Sequence, residues 1–211
     1  SIALLSLLIT ACGPAATAAP AATEAPAMTE APAATEAPAE APIKIGASLP
    51  LTGDFSDPGT AADKGYKLWA DEVNKSGGLL GRQVELVIYD NASNPDTAVA
   101  DYERLITEDK VDLVVGPFSS KLVIPTSEVA AKYGYAFPEP AGGAEHVFDR
   151  GLTNIFFAQP APSSEQSIPF AEFILGLPAD SRPKTFAVIT GDDPFSISVV
   201  ESTEKLLVEG G

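Results

Sequence analysis

The run Ile43-Lys44-Ile45-Gly46-Ala47-Ser48-Leu49 decides the fold of this chain. Apart from Lys44 it is apolar or small throughout, which reads as a strand covered on both faces, because a half-exposed strand would alternate. Working outward, runs of the same kind recur at Val84 to Tyr89, Val111 to Val115, Tyr135 to Phe137, Ile155 to Ala158 and Thr185 to Thr190. Between them lie stretches of helical periodicity. Ala62, Tyr66, Trp69 and Val73 share one predicted helical face, and Lys75-Ser76-Gly77-Gly78 supplies its C-terminal stop. Asp96 or Thr97 is expected to cap a second helix whose stripe is Val99, Tyr102, Leu105 and Ile106. Further helices should start near Ser119 and Ser120, near Ser163-Ser164-Glu165, where Pro169 makes the first turns irregular, and after Pro194. Strand followed by helix, repeated, predicts an α/β fold with a doubly wound parallel sheet. In such a sheet ligands bind beyond the carboxyl ends of the strands. Those loops here are Leu49 to Gly59, Gly116 to Lys121, Glu139 to Ala144, Gln159 to Ser164 and Gly191 to Phe195.

Upstream of Ile43 the chain changes character. Ser1 to Ala11 is an apolar run too short to span a bilayer and of the length of a signal-peptide core. It ends in Ile9-Thr10-Ala11-Cys12, which resembles the bacterial lipobox and makes Cys12 a candidate for lipidation; a buried core cysteine is the alternative. From Gly13 to Pro42 the sequence is Ala, Pro, Thr and Glu, with Thr-Glu-Ala-Pro-Ala at Thr23 and related copies starting at Thr29 and Thr35. Such a segment cannot offset the entropy of ordering and reads as a disordered linker with a reach of roughly 3 Å per residue. Residues 1–12 are therefore expected to be a signal-peptide remnant with a lipobox and 13–42 a tether, the chain beginning inside its own signal.

Composition narrows the chemistry. Thirteen Lys and Arg against twenty-nine Asp and Glu give a net charge of −16, so nucleic acid is not an expected partner. One cysteine and one histidine leave no thiolate cluster and little for a metal. No nucleotide-binding glycine motif and no nucleophile elbow follows any strand. His146 lies in a loop expected to be solvated, and Asp192-Asp193 before Pro194 reads as a turn former rather than a cation site. Neither a cofactor nor an enzymatic activity is expected.

Several segments carry a resemblance. They are Ile43-Lys44-Ile45-Gly46 leading into Leu51-Thr52-Gly53, then Gly65, then Glu72-Val73-Asn74-Lys75-Ser76-Gly77-Gly78-Leu79-Leu80-Gly81, then Tyr89-Asp90-Asn91 with Asn94-Pro95, and Val115-Gly116-Pro117 before Ser119-Ser120. In this order they resemble the type I periplasmic binding proteins, and among them the leucine/isoleucine/valine-binding receptors of ABC transporters. The resemblance implies two α/β lobes that close on a ligand. Residues 43–158 would form the N-terminal lobe and 159–211 the start of an incomplete second lobe.

The same resemblance implies a role for Ser120 as the hydroxyl donor to a ligand carboxylate at a helix N-terminus, and the helix dipole favours an anion there. Helix capping by Ser119 or Ser120 is the alternative reading. The loop after the fourth strand reads Pro140-Ala141-Gly142-Gly143, so Ala141 would offer its carbonyl and Gly143 its N–H, while the threonine usual in the family at position 143 is missing. Phe55 substitutes for an aromatic residue that usually precedes the position of Gly59, where this chain has Pro58, and Phe195 matches the family's aromatic lid. These departures leave room for an amide or a small carboxylate beside an amino acid. The expected protein is an extracytoplasmic, lipid-anchored solute receptor that hands a small polar ligand to an ABC permease; a ligand sensor coupled to a signalling partner is the alternative.

Overall fold

In the computed structural model, which describes residues 40–210, Ile43–Leu49 forms β1, the middle strand of a three-stranded parallel sheet in the order β2-β1-β3. Its partners are β2 (Val84–Asp90), paired from Ile43↔Val84 to Leu49↔Asp90, and the short β3 (Leu113–Val114). Both faces of β1 are covered, as its composition requires. Ile43 and Ile45 pack with Val84 and with Ala70 and Val73 of helix α1 (Ser56–Lys75). Gly46, on the other face, leaves room for Leu105 of helix α2 (Pro95–Thr107) and for Val111, each 3.1 Å from where a methyl group would stand. Alternate residues of one strand thus meet different helices, which is the geometry of a doubly wound sheet.

The chain continues through helix α3 (Ser120–Lys132), strand β4 (Phe137–Glu139), a single 3-10 turn (Glu145–Val147) and strand β5 (Ile155–Phe157). β4 and β5 pair in parallel, and a hydrogen bond from Gly116 N–H to Pro138 O (2.8 Å) links this pair to the end of β3. The larger core lies beneath these elements and is built around Tyr102, Leu105, Val114, Val123 and Phe137. Burying one such side chain contributes roughly 1.5–3 kcal/mol.

Helices α4 (Ser163–Gln166) and α5 (Ile168–Leu175) are separated at Ser167, because Pro169 lacks an N–H and its ring crowds the carbonyl four residues earlier. Helix α6 (Pro194–Glu209) follows. No described helix is long and apolar enough to cross a membrane.

Four sequence expectations need correction. Thr185 to Thr190 forms no strand. Ile189 is 99% exposed there, and among the described residues no strand lies alongside to share a ladder. α2 is capped by Asn94, whose side chain accepts from Thr97 N–H (3.0 Å), rather than by Asp96 or Thr97; Pro95, suited to the first helical position, starts the helix earlier. Trp69 is 43% exposed and Ala70 takes the inward place, since Gly59, Tyr66, Ala70 and Val73 form the truer helical row. The end of the expected linker is held against the fold, with Arg82 donating from Nε to Ala41 O (2.7 Å) and from Nη2 to Pro42 O (3.2 Å). The expected signal segment 1–12 with Cys12, and the linker up to residue 39, lie outside the described residues.

Candidate functional site

The loop after β1 is shaped by the loop after β2. Asp90, the last residue of β2, accepts from Leu51 N–H (2.9 Å) and Thr52 N–H (3.1 Å) through Oδ1, and from the Thr52 hydroxyl (2.8 Å) through Oδ2. Its Oδ1 also accepts from Ala92 N–H (2.9 Å). Partial burial pushes the carboxyl up, but these four donors together outweigh it and hold the pKa below the ordinary aspartate value. Ser93 donates from Oγ to Thr52 O (2.8 Å) and accepts from Phe55 N–H (3.0 Å). The Phe55 main chain is thereby held, and its ring meets Phe118 edge to face with 5.8 Å between centroids.

β3 delivers the next wall. Tyr102 donates its hydroxyl to Val115 O, and Tyr66 donates to Gly116 O (3.2 Å), so two helices hold the backbone that leads into Phe118. Ser119 precedes α3 with φ of 125°, a strained conformation for a residue with a side chain. Its hydroxyl is buried and has no hydrogen-bond partner among the described residues. Ser120 differs: it is fully buried, and its Oγ accepts from Ala144 N–H at 3.1 Å. Neither serine caps α3 through its side chain.

β4 ends in Glu139, a fully buried carboxylate with no cation beside it among the described residues. It is satisfied by N–H groups. Ala141 N–H and Gly142 N–H both donate to Oε1, and Gln159 Nε2 donates to Oε2 at 2.8 Å. Desolvation raises its pKa above the usual glutamate value, and the three donors only partly offset this. Burial, and then the negative charge of Glu139, likewise raise the pKa of Tyr66. The loop Pro140 to Gly143 is thus folded around a buried anion, and Gly143 O accepts from Ser163 N–H (2.9 Å) at the start of α4.

The last wall comes from α6. Asp193 caps it, accepting from Phe195 N–H (3.0 Å) and Ser196 N–H (3.2 Å). The capped turn presents Phe195.

Together these loops enclose a cavity of about 470 Å³, within the size range of small-molecule sites. Phe55, Phe118 and Phe195 give its apolar surface, and Ser119, Gln159, Asp193 and Ser196 give its polar groups, with Pro58, Pro140 and Ala141 completing the wall. Of the residues expected from sequence, Phe55, Ser119, Ala141 and Phe195 line the cavity. Gly143 sits behind Gln159, and Ser120 points into the fold toward Ala144. Gln159 and Glu139 open two of the strand-end loops marked out by the sequence, but neither was singled out there as a site residue. His146 is exposed and lies apart from this cavity. Among the described residues no group of three His, Cys, Asp or Glu is placed to hold a metal. A second hollow of about 430 Å³, between α5, residues 182–186 and α6, is mainly apolar and gathers no strand-end donors, so it is the weaker candidate.

The chain belongs to the periplasmic binding protein family, whose sequence model matches residues 42–211. It is 30% identical over 171 residues to the Leu/Ile/Val-binding protein BraC3 of Rhizobium johnstonii, across 81% of this chain and 45% of that protein. It is 31% identical over 180 residues to the Leu/Ile/Val-binding protein homolog 7 of Brucella abortus, across 81% of this chain and 44% of that one. The branched-chain amino acid transporter substrate binding protein LivJ from Streptococcus pneumoniae, solved in complex with isoleucine, is similar with a TM-score of 0.60 at 30% identity. That likeness covers 64% of this chain and 38% of the solved one. The chain spans less than half the length of the curated relatives it matches.

Proposed function

We propose that this chain is part of an extracytoplasmic solute receptor of an ABC importer that binds an α-amino acid, or a similar small carboxylate or amide, in the cavity between Phe55, Ser119 and Phe195. The single observation that carries the reading is the Ser119 hydroxyl, buried and unpartnered at the N-terminus of α3, on a residue that lines that cavity. A hydroxyl in this state costs free energy unless something polar answers it, and an anion at a helix N-terminus is the natural answer. Strain at the same residue fits a binding role. The carboxylate contact is therefore assigned to Ser119 in place of Ser120, whose oxygen serves Ala144. Phe55, Phe118 and Phe195 would surround an apolar side chain, in keeping with the Leu/Ile/Val-binding relatives.

On this reading residues 43–158 form the first lobe and 159–211 begin the second. Cys12 carries the lipid that ties the receptor to the membrane beside its permease, and the protein performs no catalysis. Calorimetric titration of the full-length protein against the common L-amino acids, their amides and small carboxylates tests the proposal. Binding of an amino acid that weakens by roughly tenfold or more in Ser119→Ala supports it. Absence of binding by every member of that panel refutes it.

A further inference from the structure

Position 143 is a glycine and brings no side chain to the cavity wall, yet the space above it is not empty. A methyl group there would lie 3.0 Å from Gln159 Oε1 and 3.3 Å from its Nε2, so the Gln159 amide occupies the volume that a side chain at 143 would fill. Gln159 follows β5 and lines the cavity beside Ala141 and Ser119. Its orientation is fixed from behind. A carboxylate can only accept, so the hydrogen bond of 2.8 Å to Glu139 Oε2 commits Nε2 to that side and turns Oε1 away from Glu139. Among the described residues Oε1 accepts no hydrogen bond. The result is a preorganised acceptor, polarised by a buried negative charge, on the wall of a cavity whose other polar residues are Ser119 at the start of α3 and Asp193 and Ser196 at the start of α6, where Asp193 already accepts from Phe195 N–H and Ser196 N–H.

We propose that Gln159 is a specificity-determining residue: its Oε1 receives the ammonium group of an α-amino acid, and Glu139 acts as the positioning residue that holds the amide in that sense. The proposal rests on the reading of this cavity as the ligand site. It adds a selection rule, that the site distinguishes ligands by a cationic N–H donor and not by the carboxylate alone. Gly143 is then small so that Gln159 can lie over it.

The test compares two probes on the full-length protein, L-leucine and 4-methylpentanoate, which is leucine without its ammonium group. Gln159→Leu keeps the bulk and removes the acceptor. L-leucine affinity is expected to fall about ten- to a hundred-fold while that of 4-methylpentanoate is unchanged. Glu139→Gln supplies a second amide in place of the carboxylate, so Gln159 is free to reverse and present Nε2 to the cavity, and the preference for L-leucine should shrink in the same way. Thermal unfolding of each variant confirms that it is folded. Unchanged ratios of the two affinities in both folded variants overturn the proposal while leaving the cavity as a ligand site. If the wild-type protein binds neither probe, the proposal for leucine-like ligands and the reading beneath it fall together.

Discussion

The Oγ of Ser120 accepts the backbone N–H of Ala144 at 3.1 Å, with both residues fully buried, so this side chain joins the start of α3 to the loop after β4. Ser120→Ala leaves that N–H without a partner and is expected to lower the unfolding free energy by about 1–3 kcal/mol. Affinity for L-leucine should change less than threefold. Ser119→Ala should behave in the opposite sense, with stability nearly unchanged and affinity reduced. Urea unfolding and calorimetric titration of the two variants side by side separate these outcomes. A large affinity loss in Ser120→Ala with full stability would return the ligand contact to Ser120.

Two glycines on one helix should respond oppositely to alanine. A methyl group at Gly59 would lie 2.0 Å from Pro50 O, a backbone atom at the end of the central strand, whereas one at Gly65 meets nothing within 4 Å. Gly59→Ala forces α1 away from β1 and is expected to cost at least about 1–3 kcal/mol, the range for overpacked sites. Gly65→Ala removes backbone freedom from an exposed helical position and should stabilise by up to about 1 kcal/mol. Thermal melts of both variants decide the point; equal shifts would contradict the close approach at Gly59.

Acid should weaken the loop after β1 through Asp90. Because its carboxyl titrates below the ordinary aspartate value of about 3.9, the unfolded chain takes up this proton before the folded one does. The contribution is complete above that value and is lost as pH falls below it. Asp90→Asn should therefore show a shallower loss of stability between about pH 5 and pH 3. At neutral pH the exposed position limits the cost to about 1 kcal/mol. Unfolding midpoints across that range, variant against wild type, provide the measurement.

Glu139 imposes the reverse slope. Its pKa is raised by burial, so the folded protein holds the proton to higher pH than the unfolded chain, and its contribution to stability declines as pH rises from about 4.3 through the raised value. Glu139→Gln removes this decline. Stability of the variant, measured from pH 4 to pH 8, should gain on wild type with increasing pH; a constant difference would show that Glu139 does not titrate in the fold.

The sheet was legible because its signal is local and strong. Ile43–Leu49 is a strand at the residues where its composition places it, and Val84, Leu113, Phe137 and Ile155 all fall within expected runs. Thr185 to Thr190 has the same composition and no ladder, which shows that a strand is a relation between segments and that periodicity reports only one of them. The site was less legible for a related reason. Adjacent serines at a helix start look alike in sequence, and only the backbone angle of Ser119 and the proximity of Ala144 to Ser120 separate an unpartnered hydroxyl from one bound within the fold. Gln159 is far from Glu139 in sequence, and their hydrogen bond arises from the parallel pairing of β4 with β5. No local pattern announces it.

The segment Thr185-Phe186-Ala187-Val188-Ile189-Thr190 bears on how the material behaves in a tube. It carries no charge and no proline, exposes Phe186, Val188 and Ile189 at 49%, 44% and 99%, and has the β-branched and aromatic content that favours pairing between chains. Against this stands the net charge of −16, which keeps copies apart at low ionic strength. Salt shortens the range of that repulsion to about 10 Å at 0.1 M and about 3 Å at 1 M, and leaves the apolar attraction in place. The colloidal stability of this polypeptide is therefore electrostatic in origin, and its shelf life should shorten as buffer concentration climbs.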